Sequence, residues 1–215
     1  MNRIRIVPRD GLQRDRRFQL SVQLSRLINA IQANKRHYLR IRNDDDPTSL
    51  RDQIELILYH AAIVFEAILT VVKYSRVLSN LEAWSQYAAL VSKVQAEANN
   101  KASFTQKYLK RIRNKVSFHY DIHAIEEMLS GLALTRDTAF AESKSGYDQE
   151  LAFTLADEAL LRYAISTISE RDTDKDKWEY FQETLLEVSD ALVELLLRLT
   201  VELARDFTTI EESAD

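Results

Sequence analysis

From Leu50 to Leu78 the chain reads LRDQIELILYHAAIVFEAILTVVKYSRVL, and this stretch decides the fold. Ile54, Ile57, Leu58, Ala61, Phe65, Ile68, Leu69 and Val72 recur at the three- and four-residue spacing of a helix with one broad apolar face. The spacing predicts a long helix central to the core. No Gly or Pro interrupts it, and the whole chain of 215 residues holds only three Gly and two Pro, too few for a sheet protein with many tight turns.

Outward from this helix the same period returns. Gln13 to Ile41 carries Phe18, Val22, Leu24, Leu27, Ile28 and Ile31, and Leu81 to Glu97 carries Trp84, Ala88, Val91 and Val94. Ser103 to Gly131 places Phe104, Leu109, Ile112 and Val116 inward, with Gly131 as a C-terminal cap and a bend near Ser117 to Tyr120. Gln149 to Ser169 and Lys175 to Phe207 complete the set. Between the first two helices, Asn43 to Ser49 is a polar break in which Thr48 or Ser49 is the expected N-cap of the next helix. Leu132 to Tyr147 reads as one irregular segment, either a flap or a plain solvent loop. The expectation is an all-α, up-and-down bundle of about six helices, with a basic N-terminal arm and helix at 1–47 and a helical domain at 48–215. The Leu192 to Leu203 cluster is apolar on more than one helix face, so it is either sandwiched in the core or shared with a second subunit.

Composition removes several classes of function. Apolar residues make up 46% of the chain, enough to bury a sizeable core, and the absence of Cys excludes disulfides, thiolate metal sites and cysteine nucleophiles. The N-terminus is charged from Arg3 and has no signal-peptide apolar region. Ala191 to Ala204 is broken by Glu194, Arg198 and Glu202, so no membrane contact and a cytoplasmic location are expected. No Gly-rich phosphate loop exists, which argues against a P-loop nucleoside triphosphatase.

The net charge of −4 is unevenly spread. Residues 1–42 hold eleven Arg or Lys against two Asp (+9), leaving eighteen basic and thirty-one acidic residues elsewhere (−13). Inside that acidic remainder, Ala98 to Tyr120 contains six basic residues and no acid. These two basic regions are candidate contacts for an anionic partner, although solvated helix faces also look basic over short windows.

The acid-free island runs into Lys110-Arg-Ile-Arg-Asn-Lys-Val-Ser-Phe-His-Tyr-Asp121, in which Arg113-Asn114 is followed by His119. This pattern resembles the HEPN (higher eukaryotes and prokaryotes nucleotide-binding) domains. Their signature is an Arg, commonly followed by a polar residue such as Asn, and then a His after four to six intervening positions; here five intervene. The resemblance covers Leu50 to about Leu132. It implies a metal-independent endoribonuclease, a toxin or defence effector, in which the RNA 2′-hydroxyl attacks the adjacent phosphorus. His119 would serve as general base or acid, Arg113 would stabilise transition-state charge and Asn114 would orient one of them. Lys110, Arg111, Lys115 and Tyr120 would bind the RNA. In a regular helix Arg113 and His119 lie roughly 120° apart, so either the helix bends or two copies meet, and the family's solution implies a homodimer with a composite cleft. The toxin branch carries Tyr two positions after the His and an antitoxin-like partner that modifies it; here that position is Asp121, and Tyr120 directly follows His119.

Other residues near the motif have plainer readings. Arg113 is also what an ordinary interhelical ion pair would contain, and His119 what a packed interface would contain. His119 and His123 share a helix face with Asp121 and Glu127 nearby, but no Glu-x-x-His pattern supports a metal, and no metal or cofactor is expected. His60 and Glu66 on the Leu50–Leu78 helix are candidates to approach the motif, with core packing an equal explanation. Tyr108 is a candidate base-stacking residue whose alternative is burial. The competing function is a non-catalytic helical interaction or nucleic-acid-binding protein acting through Arg3 to Arg42. A third, weaker reading is a nucleotide-binding module in which Arg113 contacts phosphate without chemistry.

Overall fold

A computed structural model describes residues 3–7, 10–42, 47–115, 142–143, 151–152 and 161–211. Three long helices make the frame: α1 (Arg16–Ile41), α2 (Pro47–Lys73) and α7 (Asp174–Ala204). Short helices α3 (Ser75–Leu78), α4 (Glu82–Gln86) and α5 (Ala88–Asn99) follow α2, and α6 (Lys110–Lys115) carries the start of the motif. Residues 161–165 are also helical. The fold is all-α, with two short antiparallel ribbons: β1 (Arg3–Ile6) on β4 (Thr208–Glu211), and β2 (Glu142–Ser143) on β3 (Leu151–Ala152).

The helix starts follow from local chemistry. Asp15 caps α1, its carboxylate accepting from the Arg17 amide at 2.8 Å and the Phe18 amide at 3.2 Å. Thr173 caps α7 through the Asp176 amide at 3.1 Å, with Asp174 and Asp176 favouring the positive end of the helix. The second helix begins at Pro47 itself, not after a Thr48 or Ser49 cap, because the first turn needs no proline amide and the ring fixes a helical φ.

Two predicted helices are broken. The long Leu50–Leu78 helix stops at Lys73, one turn after Thr70 Oγ1 donates to the Glu66 carbonyl at 2.8 Å, a back-bond of the kind that bends helices. The Leu81–Glu97 helix divides at Tyr87 (φ −105°, ψ 34°), whose ring lies 5.2 Å from the Arg198 guanidinium. The helix expected from Gln149 does not include Leu151 and Ala152, which are extended and pair with Glu142 and Ser143. Gly131, the bend at 117–120 and most of the 132–147 segment lie outside the described residues.

The helix α2 is buried on nearly every side, with Ile57, Ala61, Val64, Ala67, Ile68 and Val71 fully enclosed. Its Arg51–Lys73 stretch is long and apolar enough to cross a membrane by length and composition, and 72% of the qualifying window is buried inside the fold. All-round apolarity is what a helix covered by α1, α5, α6 and α7 requires. The first helix shares this core through Leu20, Leu24, Ile28, Ile31 and Tyr38, and packs chiefly on α7. Of the Leu192–Leu203 cluster, Leu192, Leu195, Leu196, Leu199 and Leu203 are fully buried, whereas Leu197 and Val201 face outward.

One tertiary contact replaces a local cap. Both carboxylate oxygens of Glu202 on α7 accept backbone amides at the start of α4, from Glu82 and Ala83, each at 2.7 Å. A carboxylate on open helix amides stabilises by about 1–2 kcal/mol. Glu202→Ala is therefore expected to lower the urea midpoint by an amount equivalent to about 1–2 kcal/mol, and an unchanged midpoint would show the contact to be dispensable.

Candidate functional site

The motif helix emerges from a π-helical turn, Thr105–Leu109. The turn is held at its start by side chains: the Glu97 carboxylate accepts the Thr105 amide at 2.9 Å and Ser103 Oγ accepts the Gln106 amide at 3.2 Å. One extra residue in a helical turn rotates everything downstream by about 100° relative to α geometry. In the resulting phase Leu109 and Ile112 enter the core, and Arg113 leaves it beside α2.

Arg113 Nε donates to Glu66 Oε1 at 2.6 Å, and its Nη1 donates to Asn114 Oδ1 at 3.2 Å. Both side chains of the Arg113–Glu66 pair are 38% exposed, so the charges remain at the solvent surface. An ion pair so placed contributes roughly 0.2–1 kcal/mol to folding. Its physical consequence is orientation: the planar guanidinium is fixed along one edge by a carboxylate and steadied by the neighbouring amide. By itself this is also the geometry of an ordinary interhelical pair.

Of the two α2 residues expected near the motif, Glu66 alone touches it among the described residues, at Arg113. His60 lies six residues earlier, about 120° around the helix. It is 1% exposed, with Nε2 3.0 Å from Ser189 Oγ on α7, and Nδ1 makes no hydrogen bond among the described residues. Burial first, and then the Lys35 charge, lower its pKa to about 4 against the opposing pull of Asp190. Core packing accounts for His60.

The remaining sequence candidates separate clearly. Lys110 is exposed. Arg111 stacks 3.8 Å from the Tyr163 ring centre and donates to Ser166 Oγ at 3.1 Å, so it holds the 163–166 segment. Tyr108 is buried against Phe104, which fits the packing alternative. Its hydroxyl donates to Glu170 at 2.9 Å while Lys107 pairs with the same carboxylate at 3.2 Å. The Tyr108 hydrogen bond, then Lys107, hold the Glu170 carboxyl down to about 2. Burial and that same bond raise the Tyr108 phenol above its ordinary range. Lys115 closes α6, and its side chain, like His119, Tyr120, Asp121, His123 and Glu127, lies outside the described residues. Sequence reasoning missed the Arg111–Tyr163 and Tyr108–Glu170 links, because each joins residues more than 50 positions apart with no periodic signal. Among the described residues no three His, Asp or Glu side chains are grouped as a metal site would need. No family model, curated protein or solved structure matches the chain.

Proposed function

We propose that the chain is a metal-independent endoribonuclease of HEPN type, working inside the cell as a toxin or defence effector. The observation that carries the reading is Arg113, oriented by Glu66 and Asn114 at the start of an acid-free basic helix that leads into His119. A guanidinium held this way suits the non-bridging oxygens of a phosphodiester. In the proposed reaction one imidazole takes the proton of the RNA 2′-hydroxyl as that oxygen bonds to phosphorus. The P–O5′ bond breaks and the leaving oxygen gains a proton, giving a 2′,3′-cyclic phosphate and a 5′-hydroxyl. Two copies of the chain would supply two motifs to one cleft, in a six-helix bundle of the HEPN arrangement. An antitoxin-like protein would be a natural partner for such an activity.

The test is incubation of labelled single-stranded RNA with wild type and His119→Ala. Wild type should leave cyclic-phosphate ends without added metal, and the variant should leave the RNA intact while retaining its helical circular dichroism. RNA untouched by wild type, or cut equally by the variant, ends this reading. A second reading then takes its place, a non-catalytic nucleic-acid-binding protein, favoured by the exposure of Arg16, Arg26, Arg36 and Arg40 along α1 and of Arg42 just past its end.

A further inference from the structure

His60 sits where three helices meet. Its Nε2 is 3.0 Å from Ser189 Oγ on α7, and the next residue of α7, Asp190, pairs with Lys35 on α1. The first two helices pack on each other, and Gln53 Nε2 on α2 donates to the Ile41 carbonyl at 3.0 Å. Seven residues on along α2 and seven back along α1, this antiparallel register sets Asn34 level with His60. Asn34 and Ser189 are buried as well, and Asn34 Oδ1 and His60 Nδ1 make no hydrogen bond among the described residues. Polar atoms buried without partners weaken the layer that holds them. Water comes close to that layer, because a groove of about 300 Å³ between α1 and α7 is lined by Lys35, Asp190 and Ser189, the last being the partner of the imidazole. The two ends of α1 are held unequally. At its start Arg17 pairs with Asp206 at 3.0 Å, Phe18 meets the Phe207 ring at 5.7 Å, and β1, ahead of it, pairs with β4 beyond α7. Toward its end it is tied by the exposed Lys35–Asp190 pair and by the Gln53 bond.

We infer that the last two turns of α1 form a seam that opens in mild acid, with proton uptake by His60 as the trigger. A protonated imidazole carries a charge and two N–H donors. Ser189 Oγ can accept from one, whereas Nδ1 has no acceptor among the described residues. Burial and the Lys35 charge from α1 disfavour the proton and Asp190 from α7 favours it, which leaves the closed-state pKa at about 4. The turns of α2 on either side of His60 add only apolar Ile57, Ile63 and Val64. Tyr38, one turn further along α1, is buried with its phenol raised above the ordinary range, so it stays neutral throughout. Lifting the end of α1 widens the groove to His60, where the ring regains its ordinary value near 6.5. The open form therefore binds a proton that the closed form refuses. The seam is held shut above about pH 6.5 and is progressively favoured to open as pH falls toward 4.

Hydrogen exchange of the folded full chain, read amide by amide across low urea, tests the seam. Amides of residues 34–41 should exchange through an opening that urea barely promotes, because it exposes little surface. Those of residues 57–68 should follow global unfolding with its full urea slope. Corrected for intrinsic exchange, the opening constant at residues 34–41 should be about 30-fold larger at pH 5 than at pH 7.5, the ratio for one proton whose pKa moves from about 4 to 6.5. His60→Gln, neutral at both pH values and still able to bond Ser189, should lose that increase. His60→Leu, which lacks the bond, should lose it too. A full urea slope at residues 34–41, a rise in wild type below about threefold, or an increase retained by either variant overturns the seam. The seam involves no cleavage chemistry, so exchange and the RNA test succeed or fail separately.

Discussion

Under the proposed ribonuclease chemistry, Arg113→Ala is expected to lower the rate of RNA cleavage by about 10²–10³-fold, the usual cost of deleting one donor aimed at developing negative charge. Glu66→Gln should cost about 10-fold to 10²-fold through misplacement of the guanidinium, and Glu66→Asp should recover part of that loss. The ion pair is more than one-third exposed and contributes little to folding, so neither change should move the unfolding midpoint by more than a degree or two. Glu66 acts in this scheme as a positioning residue, and its signature is a lower kcat with little change in KM. Full activity in Arg113→Ala would remove the motif from the chemistry. Full activity in Glu66→Gln alone would leave Arg113 in place and reduce the pair to packing.

The second large effect is on stability in mild acid. His60 is buried, and its folded-state pKa of about 4 lies below the ordinary 6.5. Between those values the unfolded chain binds a proton that the folded chain does not, so stability rises with pH across this window. The contribution is fully present above about pH 6.5 and is lost as pH falls toward 4, an amount of about 3 kcal/mol. Lys35 and Asp190 face the same region and partly cancel. Urea unfolding at pH 7.5, 6, 5 and 4 should therefore fall more steeply for wild type than for His60→Leu, whose buried position no longer takes up a proton. Parallel pH curves would show that His60 is protonated in the folded state at no cost.

The helical frame was legible because its signal is periodic. Ile54, Ile57, Leu58, Ala61, Phe65 and Ile68 name a buried face whatever the partner, although Leu69, placed on the same face by its spacing, is exposed, and Asp15 and Thr173 carry their caps in the adjacent sequence. Where the signal failed, the cause lay in the partner. Nothing around Tyr87 announces a break, because the guanidinium over its ring comes from Arg198, 111 positions away (198 less 87). The π turn at Thr105–Leu109 is equally silent, since a one-residue change of phase leaves the apolar spacing almost intact. At the site, Arg113 and Asn114 were readable from their neighbours in sequence, and Glu66 only as one of two residues on the right helix. Distinguishing Glu66 from His60 required the rotation of α6 against α2, which the π turn sets. Lys110 stayed exposed, whereas Arg111, identical to it in charge, found an aromatic ring more than 50 positions on.

The packing of α1 on α7 has a consequence during synthesis. The Lys35–Asp190 pair spans 155 positions, and the principal cover for the apolar side of the first helix is α7, which begins 133 positions after α1 ends (174 less 41). At roughly 5–20 residues per second the nascent chain would hold Leu20, Leu24, Ile28 and Ile31 without that cover for on the order of 10–30 s.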